Sequence, residues 1–272
     1  MNIRNDLVIK EERDKVVKFT LNRPDKKNAL NAQMVEELIV ALEEYKRKEK
    51  IRVIITTGTG DSFSGGMDVK WLKELMMKNG GAQGTRITVD PHPVVLDLYE
   101  MIRNYPKPVI AAVNGYCLGA SITFLLAFDI IIASDKAKFG LPEVMRGFTP
   151  RLVIGALVKS IPIKYALDLI LTGLNWDAEK AERAGLVTKV VPHERLEETA
   201  FEIANFMAQW DPVTLDYCKQ AAYKALDQPT YLQAIEMSSL MHERCNVVNP
   251  KPLKGLLEFI QGQGIKAIKM EK

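Results

Sequence analysis

Apolar positions in the first half of the chain switch repeatedly between period two and roughly period 3.6, which predicts alternating strands and helices. Residues 7–10 and 16–21 are short and β-branched, with a charged turn between them, and read as two strands. Asn22-Arg23-Pro24-Asp25 predicts a turn, because proline presets φ and aspartate can bond its own backbone. Asn31 is placed to cap a helix with Met34, Leu38 and Leu42 on one face. Residues 51–57 predict a buried strand running into Gly58-Thr59-Gly60, then a loop over 63–68 and a helix over 69–77. Residues 79–84, rich in glycine, predict a mobile loop, and about 93–104 another helix. Pro106 and Pro108 frame the entry to a strand over 109–113, and Gly115 and Gly119 flank the turn that follows. A buried helix over 121–128 and strands over 130–133 and 138–140 complete this half.

Strands alternating with helices predict an α/β protein with parallel pairing. After Arg151 helical periodicity dominates, residues 187–191 excepted. The change of texture divides the chain into a core over residues 1–195 and a helical region over 196–272.

Composition narrows the function classes. With 272 residues and 47% hydrophobic content the chain can bury a sizeable core. A net charge of +3, with basic residues interleaved among acidic ones as in 43–50, gives no footprint for nucleic acid. Cys117, Cys218 and Cys245 form no CxxC, so neither a zinc framework nor a disulfide ladder is readable. The first residues lack the apolar stretch of a signal peptide, and the most apolar segment, 122–134, is interrupted by Asp129 and too short to span a bilayer. These features predict a cytoplasmic protein with no membrane partner.

Two segments share one design, a buried strand running through a glycine turn into a helix. One is 51–57 into Ser64-Gly65-Gly66-Met67-Asp68; the other is 109–113 into Asn114-Gly115-Tyr116-Cys117-Leu118-Gly119-Ala120-Ser121. A helix start leaves N–H groups unpaired, and glycine lets backbone approach a ligand. If both turns face one pocket, two N–H donors can converge on one oxygen, the chemistry of an oxyanion hole. No GxxxxGK[ST] and no early GxGxxG occur, so neither a Walker loop nor a Rossmann dinucleotide site is supported.

Together with Leu21-Asn22-Arg23-Pro24-Asp25-Lys26-Lys27-Asn28-Ala29-Leu30, Phe63-Ser64-Gly65-Gly66-Met67-Asp68, Pro106-Lys107-Pro108, Phe139-Gly140-Leu141-Pro142-Glu143, Leu171-Thr172-Gly173 and residues 181–187, these loops make the chain resemble the crotonase superfamily of enoyl-CoA hydratases and isomerases. The resemblance runs in order over nearly the whole chain. It implies a ClpP-like spiral of ββα units followed by a helical trimerisation part, a homotrimer or dimer of trimers, and an acyl-CoA thioester as substrate. It implies no separate cofactor, since CoA is part of the substrate. Carried over by motif, the backbone N–H groups of Met67 and Ala120 would hold the thioester oxygen, and Glu143 would exchange the α-proton. Lys26, Lys27, Ala29, Gly65, Gly66 and Asp68 fall where relatives bind CoA, with Lys26 or Lys27 as the partner of the nucleotide phosphates. An aromatic and a lysine near the CoA in relatives align with the run 259–266.

The chain departs from the family pattern at two positions. Ala120 replaces the usual glycine, and Thr123 stands where hydratases carry a second catalytic glutamate. A threonine is no general base near neutral pH, but it can hold a water or a substrate hydroxyl. Hydration through Glu143 alone, double-bond isomerisation, which needs only one carboxylate, and a hydratase-lyase of the hydroxycinnamoyl-CoA type therefore all stay open. The last is similar in residues 63–70, in the hydroxyl at 123 and in the turn 147–150, but such enzymes carry a tyrosine where this chain has Ser238 and Ser239. A non-catalytic RNA-binding or scaffolding relative is the remaining reading, opposed by the near-neutral charge.

His92, His193 and His242 have no metal-ligand spacing, and Cys117 reads as an inert buried thiol. Arg146 and Arg151 can meet a carboxylate on an acyl chain or serve the surface. Met67, Met76, Met77, Met101 and Met145 read first as core filling.

Overall fold

The computed structural model describes residues 6–78 and 93–249. The loop at 79–84, His92 and the run 259–266 lie outside the described residues, as do the side chains of Met76 and Met77.

Strands β1 (Val8–Arg13) and β2 (Val16–Leu21) pair antiparallel. Helix α1 (Ala32–Arg47) starts where Asn31 accepts a hydrogen bond from the Met34 N–H, and it buries Met34, Leu38 and Leu42. Then follow β3 (Val53–Gly58), β4 (Ser62–Ser64), α2 (Val69–Lys78), α3 (Pro93–Arg103), β5 (Val109–Val113), β6 (Tyr116–Leu118), α4 (Ser121–Leu126), β7 (Ile130–Ser134) and β8 (Lys138–Gly140). Helices α5 (Arg151–Ser160) and α6 (Ile163–Thr172), strand β9 (Trp176–Asp177), α7 (Ala178–Arg183), β10 (Lys189–Val191), α8 (Leu196–Met207), α9 (Pro212–Leu226) and α10 (Tyr231–Val248) complete the order.

The strand pairs β3–β4, β5–β6 and β7–β8 share a connection. The first member joins a six-stranded sheet ordered β1-β2-β3-β5-β7-β10, and the second joins a four-stranded sheet ordered β4-β6-β8-β9. A helix follows each pair, so the expected ββα repeat is present. Its second strands escaped the hydrophobic pattern where β4 and β6 fall, over 62–64 and 116–118, because three residues are too few to show a period.

The central strands β3, β5 and β7 of the large sheet are buried on both faces, which is why they read as nearly unbroken apolar runs. Ile54 points into the larger core with Phe19, Leu38 and Phe63, while Val53 and Ile55 point into a smaller one with Ile110 and Ile132. Helix α8 closes the smaller core with Leu196, Ala200, Phe201 and Ala204. Each such large apolar side chain contributes about 1.5–3 kcal/mol on burial.

The chain divides into two compact units, Met1–Gln209 and Trp210–Lys272. The division falls later than the 195/196 boundary expected from texture, because α8 is helical in pattern but spends its apolar face on the sheet. In the second unit α9 and α10 are capped by Asp211 and Thr230, and the Asn249 side chain donates to Asp211 Oδ1 at 2.7 Å. Among the described residues no helix is long and apolar enough to cross a membrane.

Candidate active site

The first glycine loop is held by an isolated parallel bridge between Leu30 and Met67. The Leu30 N–H donates to Gly66 O, and Leu30 O accepts from the Asp68 N–H, each at 2.8 Å. A bridge that engages the residues on either side of Met67 turns Met67's own N–H the other way. Gly66 has φ +96°, and a β-carbon there would lie 2.7 Å from Leu118 O and 3.3 Å from Ala120 N. The backbone beside Met67 therefore packs directly on the backbone that carries Ala120.

The second loop comes off β6 and is fastened to β8. Leu118 registers with Gly140, and the Gly119 N–H donates to Gly140 O at 2.8 Å. Gly119 takes φ +58°, turning the chain into α4 so that the Ala120 N–H sits at a helix start. Among the described residues neither the Met67 N–H nor the Ala120 N–H has an acceptor. Ala120 itself has ordinary right-handed angles, φ −59° and ψ −16°, so its β-carbon costs nothing here.

Glu143 follows β8 and begins a short 3-10 turn over Val144–Arg146. Its carboxylate lies over Gly119, where a β-carbon would sit 2.6 Å from Oε1. Two glycines make this placement: a β-carbon at Gly140 would strike Asn175 Oδ1 at 2.0 Å, and one at Gly173, φ +65°, would strike Val144 Cγ1 at 2.7 Å. The Leu171-Thr172-Gly173 motif thus acts as the floor under the Glu143 turn. Burial pushes the Glu143 carboxyl above its ordinary range, its own backbone N–H and the exposed Arg146 pulling weakly the other way.

Glu143 Oε2 and Thr123 Oγ1 are the two buried side-chain polar atoms without a hydrogen-bond partner among the described residues. Buried polar groups are nearly always paired, so two orphans, one on α4 behind Ala120 and one on a carboxylate lying over Gly119, mark a place built for a guest. Thr123 lies three residues along α4 from Ala120, on the same helical face.

The loop expected to hold CoA packs beside the first glycine turn. Lys26 and Lys27 are exposed and Ala29 half-buried, and Lys27 Nζ stands 4.5 Å from the centre of the Tyr116 ring. The Gly65 N–H donates to Lys27 O at 2.7 Å, and the Gly66 N–H to Ser64 Oγ at 3.2 Å. Asp68 is fully engaged: Oδ2 pairs with Arg23 Nη1 at 2.6 Å, and Oδ1 accepts from the N–H groups of Lys70 and Trp71 at the start of α2. Burial would raise its pKa, but Arg23 and these two N–H groups outweigh it and hold the carboxyl below its usual range. What is left for Asp68 is to shape the loop.

Sequence reasoning passed over Asn28 as a separate part. Its side chain is fully buried, donating to Thr59 O and Ser62 O at 2.9 and 2.7 Å and accepting from the Arg23 N–H at 2.8 Å. Lys27 and Asn28 both take left-handed angles, φ 51° and 52°. Asparagine tolerates that region, the one local signal that could have singled it out.

The side chains of the other sequence candidates have partners, packing or exposure of their own. His193 Nδ1 is bonded to Ser134 Oγ at 2.9 Å, and His242 to Asn246. Arg151 is exposed, Met145 is 59% exposed, and Met67 and Met101 pack against the larger core. A cavity of about 280 Å³ lies elsewhere, between the sheet and α8. Its Lys18, Thr57 and Asn114 are all bonded within the protein, so it offers a guest little polar purchase.

A family model described as "Enoyl-CoA hydratase/isomerase" matches residues 11–263. A probable enoyl-CoA hydratase of Rhizobium meliloti is 34% identical over 82% of this chain and 83% of its own length. A hydroxycinnamoyl-CoA hydratase-lyase of Pseudomonas fluorescens is 33% identical over 94% of this chain and 92% of its own. The crystal structure of an enoyl-CoA hydratase from Bacillus anthracis superposes with a TM-score of 0.81 at 30% identity, covering 94% of this chain and 96% of that one. No single branch stands out among such relatives.

Proposed function

Since this chain belongs to the enoyl-CoA hydratase/isomerase family and is an acyl-CoA-processing enzyme of that type, we propose that it reversibly hydrates an enoyl-CoA thioester with Glu143 as its one catalytic carboxylate. What supports this reading is that two N–H groups without an acceptor, those of Met67 and Ala120, lie on loops packed against each other, beside a carboxylate held over Gly119.

When water adds at the β-carbon, negative charge builds on the thioester oxygen as an enolate. The two N–H groups bind that oxygen, and losing one such donor typically costs ~3–4 kcal/mol of barrier. Glu143 takes the proton from the attacking water and returns one to the α-carbon, so the carboxylate ends as it began. Thr123 Oγ1 holds that water or the product hydroxyl. The burial that raises the Glu143 pKa suits it to both halves of the transfer. Lys26 or Lys27 meets the CoA phosphates, with the Ala29 and 65–68 backbone shaping the rest of that surface. No separate cofactor takes part.

A second reading rests on Thr123. With one carboxylate in place of two, a proton shuttle between two carbons would make the enzyme a double-bond isomerase. Purified protein given crotonyl-CoA, a 3-enoyl-CoA and feruloyl-CoA, with products identified by mass, separates the options. Hydration of the first supports the proposal. A double-bond shift in the second alone replaces it with isomerisation, and release of acetyl-CoA plus aldehyde from the third assigns the lyase branch. No turnover of any thioester defeats all three.

We also propose that the protein assembles as a homotrimer or a dimer of trimers. Helix α10 leaves Tyr231, Leu232 and Val247 more than half exposed, at 84%, 64% and 86%. A solution mass of one chain would overturn this.

A further inference from the structure

The two N–H donors sit on different strand pairs, so something must set the distance between them. Strands β4 and β6 pair in parallel, Ser62 with Tyr116 and Ser64 with Cys117, and the register shifts between Ser62 and Ser64. The ladder is thus irregular where both chains leave for their donors. At that point stands Ser121, which adjoins Ala120 and is fully buried. Its Oγ lies 2.9 Å from Ser64 O on one loop and 2.7 Å from Leu118 O on the other. One hydroxyl proton is shared between a carbonyl of each loop. Cys117 Sγ, fully buried as well, lies 3.3 Å from the same oxygen. Ser64 is fully buried too, and its own hydroxyl accepts from the Gly66 N–H, one residue before Met67.

We propose that Ser121 is a positioning residue of the oxyanion hole: with Ser64, its buried hydroxyl ties the two loops across the irregular ladder and sets the spacing of the Met67 and Ala120 N–H groups. The link is read from the hydrogen bonds of Ser121 and Ser64 in this structure. It rests on the oxyanion reading above. A serine that merely satisfied the core would alter stability. One that sets donor spacing alters how strongly the thioester carbonyl is polarised and leaves binding alone. Misplacement on the scale of 1 Å costs up to about a hundredfold in rate.

The test compares wild type with Ser121→Ala and Ser121→Cys, using an enoyl-CoA labelled with ¹³C at the thioester carbonyl. Three readouts are followed: kcat, KM and the infrared frequency of the bound carbonyl. Ser121→Ala is expected to lower kcat about tenfold to a hundredfold at unchanged KM. Its bound carbonyl should move back toward the free-thioester frequency, with Ser121→Cys, a weaker donor, in between. Should Ser121→Ala fail to fold, Ser64→Ala, which removes the acceptor for the Gly66 N–H, should show the same split. A folded Ser121→Ala or Ser64→Ala enzyme with wild-type kcat and wild-type carbonyl frequency overturns the assignment while leaving the oxyanion reading standing. A wild-type enzyme whose bound carbonyl matches the free thioester defeats the oxyanion reading itself.

Discussion

Gly119 and Glu143 are in contact across two strands: a β-carbon on the glycine would lie 2.6 Å from the glutamate Oε1. The glycine at φ +58° therefore does two jobs, turning the chain into α4 and leaving room for the carboxylate. Gly119→Ala is expected to push Glu143 aside and to add about 1–2 kcal/mol of backbone strain. Steady-state kinetics and thermal unfolding check both. A drop in kcat of about a hundredfold is expected, and a variant as active as wild type would show that the carboxylate need not lie there.

Glu143→Gln keeps the shape and removes the proton carrier. Turnover should fall by at least about a hundredfold with CoA affinity kept. The stability effect has a definite sign. The folded-state pKa of Glu143 is raised, so its contribution favours folding below the unfolded value and is lost as pH rises through the folded one. Above the folded-state value the ionised, buried carboxylate opposes folding, and the glutamine variant should melt higher than wild type there. A lower melting point there would contradict the burial argument.

The same shift sets the pH profile. If the ionised carboxylate accepts the proton from water, kcat/KM should rise with pH through a midpoint above the unperturbed ~4.3 of glutamate. Arg146 pulls that midpoint down, so Arg146→Ala should move it to higher pH. Because Arg146 is exposed, added salt should produce part of the same shift in wild type. A limb that ignores both changes is not set by Glu143.

Asn28→Ala removes three hydrogen bonds inside a turn that alanine adopts poorly. The Thr59 and Ser62 carbonyls lose a buried donor. A loss of about 3 kcal/mol in urea unfolding is expected. A loss under about 1 kcal/mol, the net worth of a single ordinary hydrogen bond, would mean the turn is held by other contacts.

Lys27 is exposed, and its ammonium rests on the Tyr116 ring. If it meets CoA phosphates, Lys27→Ala should raise KM for a CoA thioester about twofold to fivefold, the worth of an exposed ion pair. KM for the matching pantetheine thioester, which lacks the nucleotide, should not change. An equal effect on both would assign Lys27 to loop structure instead.

What the sequence determined by itself was local. Asn31 capping α1, the apolar face Met34, Leu38 and Leu42, and the strands of the large sheet all follow from spacing within a few turns of chain. The motifs around Met67, Ala120 and Glu143 supplied the expectation of a site, but nothing within reach of any one motif placed them together. Tertiary structure decided that. The strands β4 and β6 carry no readable period, yet their parallel pairing with each other and with β8 stacks residues 64, 117 and 139 side by side. Asn28 reaching Ser62, Ser121 reaching Ser64 and α8 covering the sheet are likewise partnerships between distant parts of the chain. A side chain's propensity is set by its neighbours in sequence. The partner of a buried hydrogen bond is set by whichever backbone group the folded sheets leave unpaired beside it.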